Sequence, residues 1–312
     1  MQKTGSIKNK IVAPELLAER AKCDFDQEEL RMVLCGGKEP YLERKRLYTL
    51  FGNNPALRNH MQFYEMSPEE KQEDLWRRNK VLIEQHGAEL FKNFQPMAYP
   101  YLIYQNYFQG LLPGLGLHSS MYWLSLENLA DEEQKAKWMP QVRQVNHLGC
   151  YAQTELGHGS NVAGLETTAT LDKTTDEFVI NSPTITSTKY WPGDLGRNAS
   201  HAIVFARLKI DGNDYGVQPF LVQVRDTQTW QHMKGVETGE LGHKFGYTSK
   251  DNGWATFNSV RIPRENMLMR LCHVSKQGEV QLKGDPRVLY SVMMYIRMTI
   301  VRDCSEWAQR AN

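Results

Sequence analysis

Apolar residues recur at three- and four-residue steps through roughly the first 147 positions, and after that they fall into short clustered runs. The clearest helical pattern covers 68–92. Ser67 stands where an N-cap belongs, and Pro68 suits a first helical turn. Glu69, Glu70 and Glu73 complement the positive end of a helix. Leu75, Leu82 and Ile83 then recur at helical spacing, with Trp76 and Leu90 nearby. A second helix is predicted over about 26–35, carrying Leu30, Val33 and Leu34 and stopping at Gly36-Gly37. Residues 99–129 are rich in aromatic and apolar side chains, and Gly110, Pro113, Gly114 and Gly116 divide them into two helices and a turn.

Near Leu148 the pattern changes. Runs at 165–171, 178–180, 201–208 and 217–224 read as strands, and Asp211-Gly212 and Asn252-Gly253 read as turns between them. An all-helical start followed by so many strands predicts two domains of α+β class. Helical spacing returns at the end. Asp285 is placed to cap, Pro286 suits the first turn, and Leu289, Val292, Met293, Ile296, Ile300, Cys304, Trp307 and Ala311 form one apolar face. Such a face must pack on something, either the first domain or helices outside this chain.

The 312 residues carry 37 basic and 36 acidic side chains, a net charge of +1. That balance excludes the basic excess of a nucleic-acid-binding protein. No run approaches the ~20 apolar residues of a membrane span, and 1–12 lack the apolar core of a signal peptide. Cys23, Cys35, Cys150, Cys272 and Cys304 are odd in number and widely spaced, which fits neither a disulfide framework nor a zinc ribbon and points to a reducing compartment. The nine histidines show no metal spacing, and the Gly-x-Ser-x-Gly of a hydrolase is absent, so no metal is expected.

Chemistry concentrates in three segments. Residues 151–161, Tyr-Ala-Gln-Thr-Glu-Leu-Gly-His-Gly-Ser-Asn, are a strand end entering a loop whose glycines let backbone N–H groups approach a ligand and whose Thr154 and Ser160 offer hydroxyls. The same residues also read as a plain glycine-rich β-loop. Tyr190 and Trp191, followed by Pro192-Gly193, form either a rigid wall for a planar ring or core aromatics before a turn. The stretch 242–269 reads as turns and a strand exit, with no chemistry visible in it.

Taken together and in this order, the segments resemble the acyl-CoA oxidases, flavoenzymes of peroxisomal fatty-acid β-oxidation related to the acyl-CoA dehydrogenases. The phrases that carry the likeness are Tyr-Ala-Gln-Thr-Glu-Leu-Gly-His-Gly-Ser (151–160), Gly-Leu-Glu-Thr-Thr-Ala-Thr (164–170) and Asn-Ser-Pro-Thr-Ile-Thr-Ser-Thr-Lys-Tyr-Trp-Pro-Gly (181–193). Lys-Phe-Gly-Tyr (244–247) and Arg-Ile-Pro-Arg-Glu-Asn-Met-Leu-Met (261–269) complete it, and Leu17 through Phe25 look like the family's start. The resemblance implies an N-terminal helical domain over 1–147, a β-barrel-like domain over 148–270, and over 271–312 a linker with the first helix of a C-terminal helical domain. It implies FAD held between the β domain and C-terminal helices. A glutamate removes the α-proton of a fatty acyl-CoA, hydride passes to the flavin, trans-2-enoyl-CoA leaves, and O2 is reduced to H2O2.

Site residues follow from the same likeness. Thr154 matches the flavin-contacting threonine of Gln-Thr-Glu, and Gly193 matches the glycine of Trp-Pro-Gly. Tyr151, Ala152, Gln153, Gly159 and Ser160 line the same loop, and Trp191 walls the ring. Tyr290 and Arg297 stand where the family's helix meets acyl-CoA. His243 departs from the proline that precedes Lys-Phe-Gly in the family, a change that a turn tolerates. The family's glutamate base lies beyond residue 312, so no residue here is assigned that role, and the chain alone is expected to show little or no oxidase activity. The family also implies a homodimer and a peroxisomal location, although Gln309-Arg310-Ala311-Asn312 is no peroxisomal address. A dehydrogenase, or a non-catalytic short form that binds acyl-CoA, FAD or a full-length partner subunit, are the rival readings.

Overall fold

A computed structural model describes residues 13–58, 61–91 and 115–311. The predicted helix and turn at 99–114 lie outside them. The chain divides into two compact units, one running through Leu50 and the other from Phe51 onward. The first holds α1 (Pro14–Ala21), α2 (Gln27–Leu34) and most of α3 (Lys38–Asn53). Asp26 caps α2 by accepting the N–H groups of Glu28 and Glu29, and Gly36 and Gly37 end it at positive φ. Tyr41 and Lys45 of α3 reach Glu28 at 3.0 and 3.4 Å.

The second unit begins with the end of α3 and continues to α4 (Pro68–Phe91). Ser67 and Glu70 exchange the two bonds of a capping box at its start. Leu75 and Leu82, two turns apart, are buried. Gln72 donates to Glu240 at 3.1 Å, and the Trp76 indole N–H donates to Asn198 at 3.0 Å. After the undescribed stretch come a helical turn (Leu115–Leu117), a π-helical turn (His118–Tyr122), α5 (Trp123–Leu129) and α6 (Glu132–Arg143). Asp131 and Gln134 form the capping box of α6. Gln134 also donates to the carbonyls of Glu265 and Met267 and accepts the Met269 N–H, which fastens α6 to the β region.

The strands are β1 (Gly149–Ala152), β2 (Thr168–Asp172), β3 (Glu177–Asn181), β4 (Lys189–Gly193), β5 (His201–Ile210), β6 (Asn213–Gln223), β7 (Val236–Glu240), β8 (Asn252–Phe257), β9 (Val260–Pro263), β10 (Cys272–Val274) and β11 (Val280–Leu282). A six-stranded sheet runs β1-β5-β2-β3-β9, with β6 on the free edge of β5. β1 and β2 pair in parallel with successive halves of β5. A three-stranded sheet runs β4-β8-β7, and β10 and β11 form a small hairpin. Side chains of both larger sheets share one core, including Phe178, Val204, Phe220, Ala255 and Phe257. The Asp211-Gly212 turn joins β5 to β6 as the sequence predicts. Asn252-Gly253 does not turn: it opens β8. A Cβ at Gly253 would stand 2.2 Å from the backbone N of Gly196, so the glycine serves close backbone approach instead.

Period-2 alternation gives β1 and β5 two apolar faces. Cys150, Ala202 and Val204 face the β core, whereas Tyr151, Ile203 and Phe205 face a second core built with Trp123, Leu126, Leu129 and Val142. The C-terminal segment closes on that second core. A 3₁₀ turn (Pro286–Tyr290), capped by Asp285, leads into α7 (Ser291–Ala311). Leu289 and Val292 are buried there, with Met293 and Ile296 packed beside them. Met294, Met298, Ile300 and Val301 are exposed, so α7 is apolar on more than the one predicted face. Ile300 and Cys304, predicted on the packed face, are exposed.

Three histidines sit between the two layers. His118 Nδ1 accepts the Gly149 N–H at 3.1 Å, which leaves Nε2 to donate to the Val142 carbonyl at 3.0 Å. His147 meets the Tyr122 hydroxyl at 2.8 Å and packs 4.2 Å, ring to ring, against His201. Burial pulls His118, His147 and His201 down from 6.5 to about 4, 3 and 4. These rings are neutral when folded, while the unfolded chain takes up protons as pH drops below 6.5. Stability is therefore full above pH 6.5 and falls toward pH 4, by about 1.4 kcal/mol per pH unit for each histidine. Urea unfolding at pH 7, 6 and 5 is expected to show this steep loss, and a flat profile would contradict neutral burial. Gly253→Ala is expected to cost about 3 kcal/mol, because backbone, not a movable side chain, blocks the new methyl. Thermal unfolding of that variant checks it.

Candidate functional site

β1 hands the chain to the loop 153–160, which lies against the approach to β4. Tyr190 donates its N–H to the Thr154 carbonyl at 3.0 Å, Leu156 to Thr188 and Gly157 to Thr186, both at 2.9 Å. A Cβ at Gly157 would meet Thr186 Cβ at 2.8 Å. His158 lies 3.0 Å from Glu166, whose carboxylate also takes the hydroxyls of Thr184 and Thr186. These bonds, that of Thr184 foremost, hold the Glu166 carboxyl down to about 2. The loop is therefore not a plain glycine-rich turn but a strip laced to 184–190.

β4 breaks register between Tyr190 and Gly193. Trp191 there has φ 83° and Asp194 φ 67°, unusual for residues with side chains. Neighbours hold the distortion: Asn252 Nδ2 donates to the Trp191 carbonyl at 2.8 Å, and Lys250 pairs with Asp194 at 2.5 Å. Trp191 is 56% exposed and Tyr190 36%, so neither is a core aromatic. Gly193 lies against the helical turn Leu115–Leu117, where a Cβ would come 2.6 Å from Leu117 Cδ1.

Between these elements opens a cavity of about 650 Å³. Tyr151, Gln153 and Thr154 form one side, continued by Trp191, Pro192 and Gly193. Leu117, Ser120 and Met121 of the helical and π turns face them. Met293, Ile296, Thr299, Ile300 and Asp303 of α7 close another side, and Lys244 through Tyr247, with Lys250, rim it. Its size is that of a cofactor pocket. Gln153 carries a signal of its own. Its Oε1 accepts the Tyr151 hydroxyl at 3.1 Å, while its buried Nε2 has no protein partner. Such a donor is costly to leave unpaired, which points to a ligand acceptor.

Of the residues singled out in the sequence, Thr154, Gly193, Tyr151, Gln153 and Trp191 meet at this cavity. Ala152 points into the β core instead. Gly159 and Ser160 are exposed farther along the loop. Tyr290 packs against the second core and Arg297 is exposed, neither of them among the cavity residues. Sequence reasoning missed the 244–250 rim and Leu117, Ser120 and Met121. Two aromatic residues, Phe245 and Tyr247, flanking Gly246 in an otherwise turn-like stretch were the available signal for the rim, and both are exposed in the structure.

Two family descriptions match the chain: acyl-coenzyme A oxidase N-terminal over residues 26–148, and acyl-CoA dehydrogenase, middle domain, over 150–260. Peroxisomal acyl-coenzyme A oxidase 1 of Arabidopsis thaliana is 37% identical over 309 residues, covering 95% of this chain and 44% of the relative. The solved structure of Arabidopsis thaliana acyl-CoA oxidase 1 matches with a TM-score of 0.84 at 37% identity, over 93% of this chain and 44% of that one. Acyl-CoA oxidase-2 of Caenorhabditis elegans, solved with FAD, ascaroside-CoA and ATP, matches at 0.83 and 35% identity, over 93% of this chain and 43% of its own. The chain thus spans less than half the length of these relatives. On sequence and fold it belongs to the acyl-CoA oxidase family and corresponds to the N-terminal portion of its members.

Proposed function

We propose that this chain supplies the β-domain wall of an FAD site in a fatty acyl-CoA oxidase. The observation that carries the reading is the unpaired Gln153 Nε2 in a cofactor-sized cavity beside Thr154, Trp191 and Gly193. The donor set fits an isoalloxazine ring, whose edge is rich in acceptors and whose faces are flat and apolar. When bound, FAD would supply the acceptor for the hydride lost as a fatty acyl-CoA becomes trans-2-enoyl-CoA, the α-proton going to a base, and O2 would reoxidise it with formation of H2O2.

The residues of the chain have distinct tasks. Gln153 offers its free N–H to the ring edge, oriented by the Tyr151 hydroxyl on its other atom. Thr154 spends its backbone carbonyl on Tyr190 and lines the cavity, where its hydroxyl is the group offered to the flavin. Trp191 supplies a flat side wall. Leu117, Met121, Ile296 and Ile300 keep the opposite side apolar and exclude water. Asp303 is a carboxylate in this lining, but the family likeness places the α-proton base beyond these residues. The likeness also supports a helical domain over 1–147, a β domain over 148–270 with 271–312 beginning the next, a homodimer, and a peroxisomal setting. Ala152, Gly159, Ser160, Tyr290 and Arg297 are carried by the likeness alone.

Titrating FAD into the 312-residue chain by calorimetry is expected to show saturable binding with perturbed flavin absorbance. Adding a long-chain acyl-CoA under air is expected to give little or no H2O2. Absence of FAD binding would overturn the flavin reading, and robust H2O2 production would place the base within these residues. Tyr151→Phe with Gln153→Leu removes the free donor together with its hydroxyl partner. That variant is expected to keep its melting temperature and to bind FAD about tenfold more weakly, the worth of one hydrogen bond.

A further inference from the structure

Glu155 and Lys189 form an ion pair in which both side chains are fully inaccessible to solvent. Nothing in the cofactor chemistry above uses it, and two buried charges are costly to assemble. Its partners show what it joins. The Lys189 ammonium spends its donors on Glu155 Oε1 at 2.9 Å, the Gln153 carbonyl at 3.2 Å and the Phe205 carbonyl at 2.6 Å. The Glu155 carboxylate takes the N–H groups of Glu166 and Thr167 at 2.7 and 3.0 Å and the Thr167 hydroxyl at 2.6 Å. Four stretches of chain therefore meet at one point: the loop after β1, residues 166–167, the start of β4, and the middle of β5.

The cavity-facing groups leave this point in two directions. Gln153 and Thr154 precede Glu155 directly, and the Gln153 carbonyl is itself a Lys189 acceptor. Trp191, Pro192 and Gly193 follow Lys189 within four residues. We propose that Glu155 and Lys189 are a positioning pair, fixing the spacing of Gln153–Thr154 against the Trp191–Gly193 bulge and so the shape of the flavin slot. The proposal rests on the flavin reading above. Two apolar side chains would fill the same volume, but they would set no direction for the Gln153 peptide or for the entry to the bulge. Directional bonds do set it, and the strained Trp191 backbone needs such a fixed frame on its N-terminal side. Burial pulls the Lys189 ammonium down to about 8 against the opposing pull of Glu155, so the ammonium is still charged at neutral pH.

The test separates positioning from plain stability. Replacing a buried ion pair with apolar side chains is often neutral for folding. Here the change also takes partners from the Glu166 and Thr167 N–H groups and from the Gln153 and Phe205 carbonyls, so the double variant Glu155→Leu/Lys189→Met in the 312-residue chain is expected to fold with a lowered melting temperature. Its FAD dissociation constant is expected to rise at least tenfold, and the visible circular dichroism of bound flavin to lose its wild-type band shape. Unchanged affinity and band shape in the folded double variant would overturn the proposal. If that variant does not fold, Glu155→Gln, which keeps the shape but turns one of the two acceptor oxygens into an NH2 donor facing another donor, is read by the same two measurements with the same outcomes. Should the wild-type chain itself bind no FAD, the flavin reading falls and this proposal falls with it. Binding by wild type with indifference in the variants defeats the positioning role alone.

Discussion

The helical and β layers of the second unit meet because strand β1 begins with a residue that has no side chain. The Tyr122 ring occupies the space beside Gly149, where a Cβ would lie 2.3 Å from ring carbons. At the same point the Gly149 N–H bonds to His118, which bonds on to the end of α6. Much of the remaining site geometry depends on this contact. β1 and β5 are parallel neighbours, so the chain between them must cross over. Both the 153–160 loop and β4 lie within that crossover. The cavity sits where the crossover leaves β1, and the π turn that holds Gly149 also supplies its opposing wall.

The two walls differ in character for a physical reason. Behind the β wall, backbone is pinned by buried charge. Arg225 donates to the carbonyls of Leu195, Gly196 and Ala199, and Asp251 accepts the N–H groups of Arg197 and Asn198. Burial, with Asp194 nearby, raises Asp251 to about 6, which reflects how dry the turn after β4 is. Opposite stand side chains that pack without direction: Leu117, Met121, Ile296 and Ile300. A rigid hydrogen-bonding wall facing a largely apolar one, interrupted by Ser120, Thr299 and Asp303, suits a ligand that is flat and greasy on its faces and hydrogen-bonding at its edge.

The sequence made some of this legible and hid the rest for identifiable reasons. The start of α4 was readable because Ser67 announces its first turn locally, α2 from its apolar spacing and the Gly36-Gly37 stop, and β2, β3, β5 and β6 from their runs. Asn252-Gly253 misled because a turn dipeptide and a close-packed strand both require glycine, and only the position of Gly196 distinguishes them. Tyr190 and Trp191 admitted two readings because aromatic pairs look alike in a core and at a rim. Exposure decided between them. The Glu155–Lys189 pair was invisible for a different cause: its partners lie at 153, 167 and 205, and no local pattern marks two charges as destined for burial.

Helix α7 shows the same limit most sharply. Its apolar positions recur at three and four, and from sequence they form a single packing face. In space they divide. Val292 enters the core after Leu289 of the preceding 3₁₀ turn, Met293 and Ile296 both flank that core and line the cavity, and Ile300 and Asp303 continue the cavity lining. A helix stripe facing a core and one facing a ligand obey the same periodicity, because both exclude water. What separates them is the residue that breaks the chemistry without breaking the period. Asp303 and Thr299 are polar positions on the stripe, out of place in a core but suited to a ligand that is not apolar throughout. Polar interruptions of an otherwise apolar stripe therefore carry more functional information in α7 than the stripe itself.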